Sequence, residues 1–161
     1  MAEHYICERD MQKKAIIFVG IQASGKSTFY RERLKPLGYT HVSMDLLHYR
    51  RREQRMLDQS ISSGESIVID NTNPTREDRQ RYIPKLKAAG YRVECYFFQS
   101  RVKDCILRNE ERGMKVPSHA IAATSNKLEM PSRVEGFDNI FFVRIAPDGF
   151  DVSTFIEEDE L

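Results

Sequence analysis

Cysteine is scarce in this chain of 161 residues, which has only Cys7, Cys95 and Cys105. Three cannot all pair with one another, and none stands in the close Cys/His spacing of a zinc site. The expectation is reduced thiols in a cytosolic protein, not a disulfide framework or a zinc module. An excess of one charge is also lacking. Lys and Arg number 25 against 24 Asp and Glu, a net charge of +1, which excludes a protein held to nucleic acid by bulk charge and leaves room only for a local basic patch. No apolar run is long enough to span a bilayer. Residues 1–14 carry Glu3, Glu8, Arg9, Asp10, Lys13 and Lys14 where a signal peptide needs an apolar core. A soluble, intracellular, cytoplasmic chain with no membrane partner is expected. Internal repeats, low-complexity linkers and signs of a second domain are missing too. With 40% hydrophobic and 30% charged residues, the composition suits one compact domain over 1–161 with a full core.

What the chain does have is Gly20-Ile21-Gln22-Ala23-Ser24-Gly25-Lys26-Ser27, preceded by the apolar run Ala15-Ile16-Ile17-Phe18-Val19. The octet fits G-x-x-x-x-G-K-[ST], a phosphate-binding loop between a buried strand and a helix. Its glycines let backbone N–H groups close around a phosphate chain, and the helix that follows adds the positive end of its dipole. Lys26 would reach the terminal phosphates and Ser27 would ligate Mg²⁺. Gly20, Ala23, Ser24, Gly25, Lys26, Ser27 and Thr28 are the candidate residues for ATP or another NTP.

Along the rest of the chain, strand and helix signals alternate. Residues 1–13 read as a tail or edge element with no chemistry assigned. Helices are predicted over Lys26 to Leu37, Asp45 to about Ser63, Thr75 to Ala89 with a kink at Pro84, Val102 to Arg112, and Pro117 to Leu128. Strands are predicted over Ala15 to Val19, Tyr39 to Ser43, Ser66 to Asp70, Arg92 to Phe98 and Asn139 to Ile145. That order implies an α/β fold with a five-stranded parallel sheet and helices on both faces. Residues of about 101–130 form a lid region, and 151–161 read as an acidic, solvated tail.

Ligands of an open parallel sheet bind at the carboxyl ends of its strands. The second strand leads to Asp45, which suits a general base that takes the proton of an acceptor hydroxyl; Asp45 also suits a helix N-cap. The third ends at Asp70, placed to orient the Mg²⁺ shell through water, or to serve an Asx turn. Asn71, Thr72 and Asn73 after it are candidate substrate-binding residues. Arg108 and Arg112, four apart, share one helix face. That face is either solvated or, in a lid, aimed at phosphates.

These pieces together resemble the kinase domain of the polynucleotide 5′-kinase family over about Ala15 to Phe142. The matching stretches are GIQASGKST from Gly20, Ser43-Met44-Asp45, IDNTNP from Ile69, LRNEER from Leu107, KVP from Lys115 and EGFDNI from Glu135. The resemblance implies a P-loop kinase fold of the adenylate-kinase-like kind and transfer of a γ-phosphate from ATP or another NTP, with Mg²⁺, to a 5′-hydroxyl end of RNA or DNA. It also implies a base at Asp45, with Lys26 and phosphate contacts from Arg108 and Arg112 completing the catalytic set. Some members place an arginine three residues after the base, to hold a phosphate of the acceptor, where this chain has His48. Arg52, one helical turn beyond His48, is the expected replacement, with Arg51 and His48 beside it.

Two other readings share the same loop. One is a kinase for a small metabolite or activated sugar, which needs no grip on a polynucleotide phosphate. The other is a nucleotide-binding switch, which needs no acceptor base. A functional partnership with phosphatase or ligase modules on other chains is a further expectation.

Overall fold

The computed structural model describes residues 13–157. Cys7, most of the predicted N-terminal tail and the last four residues of the predicted acidic tail therefore lie outside the described residues. Among the described residues six strands form one sheet, in the order β2-β3-β1-β4-β5-β6. They are β1 Lys14–Val19, β2 Thr40–Val42, β3 Ile67–Ile69, β4 Arg92–Phe98, β5 Asn139–Ala146 and β6 Gly149–Thr154. The first five pair in parallel, as predicted, and β1 lies at the centre, with Ile16 opposite Val68 on one side and Glu94 on the other.

β1 is wholly apolar after Lys14 because both faces of the sheet are covered. Ala15, Ile17 and Val19 point to one side, where they meet Leu57, Tyr82, Ile83 and Leu86. Ile16 and Phe18 point to the other, where Phe29, Tyr30 and Leu34 pack. The helices of the first side are α3 Arg50–Ser62, α4 Arg76–Gln80 and α5 Ile83–Ala88, and α1 Lys26–Phe29 covers the second. From α1 the chain continues through a π-helical turn, Tyr30–Leu34, and a 3-10 turn, Lys35–Leu37. A third, smaller cluster of Ile21, Cys105 and Ile121 joins the phosphate loop to α6 Val102–Glu111 and α7 Ser118–Lys127.

Three expectations are corrected. The first is the strand count: β6 is a sixth strand, antiparallel to β5, with Arg144 opposite Asp151 and their side chains 3.0 Å apart. The tail expected from residue 151 therefore begins inside a hairpin. Glu157 is not simply solvated either, since it accepts the Arg133 N–H at 2.6 Å and faces the Ser132 hydroxyl at 3.3 Å. The second correction is the helix expected over 45–63, which is broken. α2 Met44–Leu47 ends at His48, whose φ is 65°, and Tyr49 is extended before α3 begins. The residue ends the helix because a backbone at positive φ cannot continue a right-handed α turn. The third is the helix expected over 75–89, which splits around Arg81 and Tyr82, with Pro84 in the first turn of α5 where its missing N–H is harmless.

Candidate active site

The phosphate loop is fixed at its base by the neighbouring strands. The Gly20 N–H donates to Thr72 O at 3.0 Å and the Ile21 N–H to Ser100 Oγ at 3.1 Å. A Cβ on Gly20 would stand 2.8 Å from Ser24 Oγ and 2.9 Å from Phe98 Cβ, so the loop closes only around glycine. Ala23 and Gly25 have φ of 61° and 100°. Such alternation turns successive peptide N–H groups toward one concavity, a cradle for an anion. Lys26 starts α1, and its ammonium donates to Ile21 O at 2.9 Å and Gly20 O at 3.0 Å. Burial depresses the Lys26 ammonium below the ordinary lysine value, opposed by the Asp70, Cys105 and Asp45 charges.

Beside the loop, Ser27 Oγ donates to Asp70 Oδ2 at 2.9 Å. His41 Nε2 meets the same oxygen at 2.7 Å, and its ring stacks on Tyr30 with centroids 3.9 Å apart. The hydroxyl and carboxylate oxygens of Ser27 and Asp70 are the hard donors that Mg²⁺ takes, and the glycine-lined cradle suits the polyphosphate that accompanies it. The residues present therefore fit a magnesium nucleotide.

Asp45 sits in the first turn of α2, and the N-cap position is held by Ser43. It is exposed, and among the described residues it makes no hydrogen bond or ion pair. Its turn is tethered from below. The Met44 N–H donates to Asn71 Oδ1 at 2.9 Å, and Asn71 Nδ2 donates to Glu53 Oε2 at 2.8 Å. Glu53 is fully buried and accepts the Tyr82 hydroxyl at 3.0 Å and Arg50 Nη1 at 2.8 Å. Burial, reinforced by the Glu53 charge, raises the Tyr82 phenol, which therefore stays a donor.

One cleft of about 860 Å³ gathers Ala23, Gly25, Lys26, Ser27, Thr28, Asp45, Asp70, Asn71, Thr72 and Arg112 from the expected set. Gly20 and Ser24 shape the loop without lining the cleft. Arg108 lines an adjoining hollow of about 290 Å³ together with Arg112, Ile145 and Phe150, and its Nε donates to Ala23 O at 2.7 Å. Asn73 faces away: it is buried, with φ of 44°, and donates to Phe18 O at 2.8 Å.

The expected acceptor group is not brought together. The break at His48 removes the shared helical face on which Arg52 was placed, and His48, Arg51 and Arg52 do not line the cleft. Arg52 instead lies over the Tyr49 ring, 5.0 Å from its centroid. Arg50 does line the cleft. Sequence reasoning also passes over Arg31, Asn109 and Lys115 as lining residues. Asn109 and Lys115 sit inside the LRNEER and KVP stretches, which were the available signal. The buried Asn109 amide holds Val116 O at 2.6 Å and so shapes the turn that presents Lys115.

Over residues 16–131 the chain matches the family described as AAA domain. It is 27% identical over 141 residues to a bifunctional polynucleotide phosphatase/kinase of Schizosaccharomyces pombe, covering 84% of this chain and 35% of that protein. It is 34% identical over 80 residues to a putative bifunctional polynucleotide phosphatase/kinase of Acanthamoeba polyphaga mimivirus, covering 50% and 19%. The chain thus spans about a third and about a fifth of these two relatives. Among solved structures, a gluconokinase from Sinorhizobium meliloti superposes with a TM-score of 0.57 at 19% identity over 83% of each chain, a likeness of fold. No helix of the described residues is long and apolar enough to cross a membrane.

Proposed function

The chain belongs to the AAA domain family, and from that premise we propose that it is an ATP- or NTP- and Mg²⁺-dependent kinase that phosphorylates 5′-hydroxyl ends of RNA or DNA. The observation that carries the reading is Asp45. It is an exposed carboxylate that makes no hydrogen bond or ion pair among the described residues, in the same cleft as Lys26, Ser27 and Arg112. A nucleotide switch has no use for such a group, whereas transfer to a hydroxyl needs a base there. The phosphatase/kinase relatives support a polynucleotide acceptor, and so does Arg50, a further cation that lines the cleft.

In this reading Gly25, Lys26 and the loop amides would hold the donor phosphates, and Ser27 and Asp70 would hold the metal. Bound magnesium supplies charge neutralisation at the donor phosphates. Asp45 accepts the proton of the acceptor hydroxyl as its oxygen bonds to the γ-phosphorus and the bond to the β-phosphate oxygen breaks, leaving a nucleoside diphosphate. Arg112 and Lys26 balance the charge on the transferring group, and Arg108 fixes the loop through Ala23 O. Arg50 grips an acceptor phosphate in the role expected of Arg52. Cooperation with phosphatase or ligase modules on other chains, in an intracellular setting, completes the proposal.

Transfer of label from γ-labelled ATP, with Mg²⁺, to 5′-hydroxyl RNA and DNA oligonucleotides against gluconate and free nucleosides tests it. Label on the oligonucleotides and not on the metabolites is the expected result, and label on a metabolite alone overturns it.

A further inference from the structure

Tyr49 is 62% exposed and Leu46 65% exposed, two large apolar side chains on one short stretch of the surface. The two residues lie on either side of the left-handed His48. Tyr49 is the extended residue that caps α3, and it directly precedes Arg50, which lines the cleft. Among the described residues its hydroxyl makes no hydrogen bond and its ring meets no other aromatic ring. One face of the ring is backed by the Arg52 guanidinium at 5.0 Å. Arg51, Arg52 and Arg55 are all exposed around it, in a chain whose net charge is only +1.

The geometry points to a nucleobase platform: the free face of Tyr49 stacks a base near the 5′ end of a single-stranded acceptor, while Arg52 stiffens the ring from behind and the neighbouring arginines meet the strand's phosphates. The occupant follows from the chemistry of the patch. A nucleobase is flat and apolar on its faces and is tied to an anionic backbone, so it satisfies the ring and the arginines together. A purely apolar partner would bury the guanidiniums unpaired. The position also fits. Asp45 and Tyr49 flank one short turn, so a strand whose 5′-hydroxyl reaches Asp45 passes its first bases over Tyr49. The inference rests on the polynucleotide reading and deepens it. It gives Arg52 a role at a base, where the sequence gives it one at a phosphate.

The test is equilibrium binding of the whole chain to a fluorescent single-stranded 5′-hydroxyl oligonucleotide, beside an otherwise identical one abasic at its first two positions. Tyr49→Ala is expected to weaken binding of the first by ~5-fold to ~150-fold, the range for stacking one base on an aromatic ring. Tyr49→Phe should restore it, and the abasic strand should bind wild type and Tyr49→Ala alike. Equal affinity of Tyr49→Ala and wild type for the intact strand, or an equal loss on the abasic one, overturns the platform. If either appears while wild type still labels 5′-hydroxyl ends, the platform alone falls. If wild type neither binds nor labels oligonucleotides, the polynucleotide reading falls with it.

Discussion

Asn71 Oδ1 accepts the backbone N–H of Met44 at 2.9 Å, tying the end of β3 to the turn that carries Asp45. The same amide donates to the buried Glu53, so one side chain couples a core charge to the position of the candidate base. Asn71→Ala strands the Met44 N–H and takes away one of the donors to the buried Glu53 carboxylate, at about 1–3 kcal/mol of stability. It should also lower kcat while leaving ATP affinity near that of wild type. Paired measurements of kcat and ATP Kd check this, and a variant that loses ATP affinity with kcat intact contradicts it.

Arg50 and Arg52 should separate cleanly. Arg50→Ala is expected to raise KM for acceptors with a phosphate next to the reacting hydroxyl by ~10-fold or more, the value of a charge-assisted hydrogen bond. KM for an unphosphorylated nucleoside should change little. A structural defect would move both, so the ratio of the two is the readout. Arg52→Ala should leave that ratio unchanged for acceptors that carry the same base, because Arg52 stands behind the Tyr49 ring and not at that phosphate.

Arg79 is completely buried and pairs through Nε with Glu135 Oε1 at 2.7 Å and through Nη2 with Oε2 at 3.0 Å. Its Nη1 also bonds the carbonyls of Asn73, Pro74 and Glu129, so it clamps the exit of β3 to the segment before β5. Glu135→Ala leaves a buried guanidinium without its counter-charge and should cost about 3–5 kcal/mol. Urea unfolding of the two proteins measures it. A loss below about 1 kcal/mol would mean the pair is solvated.

The parts legible in sequence are those carried by neighbours in the chain. The phosphate loop is one unbroken octet with its strand before and helix after, and the apolar runs of β1, β3 and β4 announce a sheet covered on both faces. What was hidden depends on distant contacts. Nothing in residues 45–63 breaks a helix by composition, yet His48 ends one, and the Met44 to Asn71 bond holds the turn before it. That break resets the helical phase and moves the cleft-facing arginine from Arg52 to Arg50. Asn71 and Asn73 look alike in sequence, but one lines the cleft while the other is buried against Phe18 O. β6 did leave a trace: Pro147-Asp148-Gly149 is a turn sequence, and Phe150 and Val152 alternate with polar residues after it. The acid-rich end masked that pattern.

The most direct test of the account is single-turnover transfer from γ-labelled ATP to a 5′-hydroxyl oligonucleotide by Asp45→Asn, with ATP affinity measured on the same preparation. A base held as Asp45 is held should be worth ~10² to 10⁴-fold in rate, so the predicted result is a fall of that size with ATP affinity unchanged. Turnover near that of wild type would contradict it and remove Asp45 from the reaction.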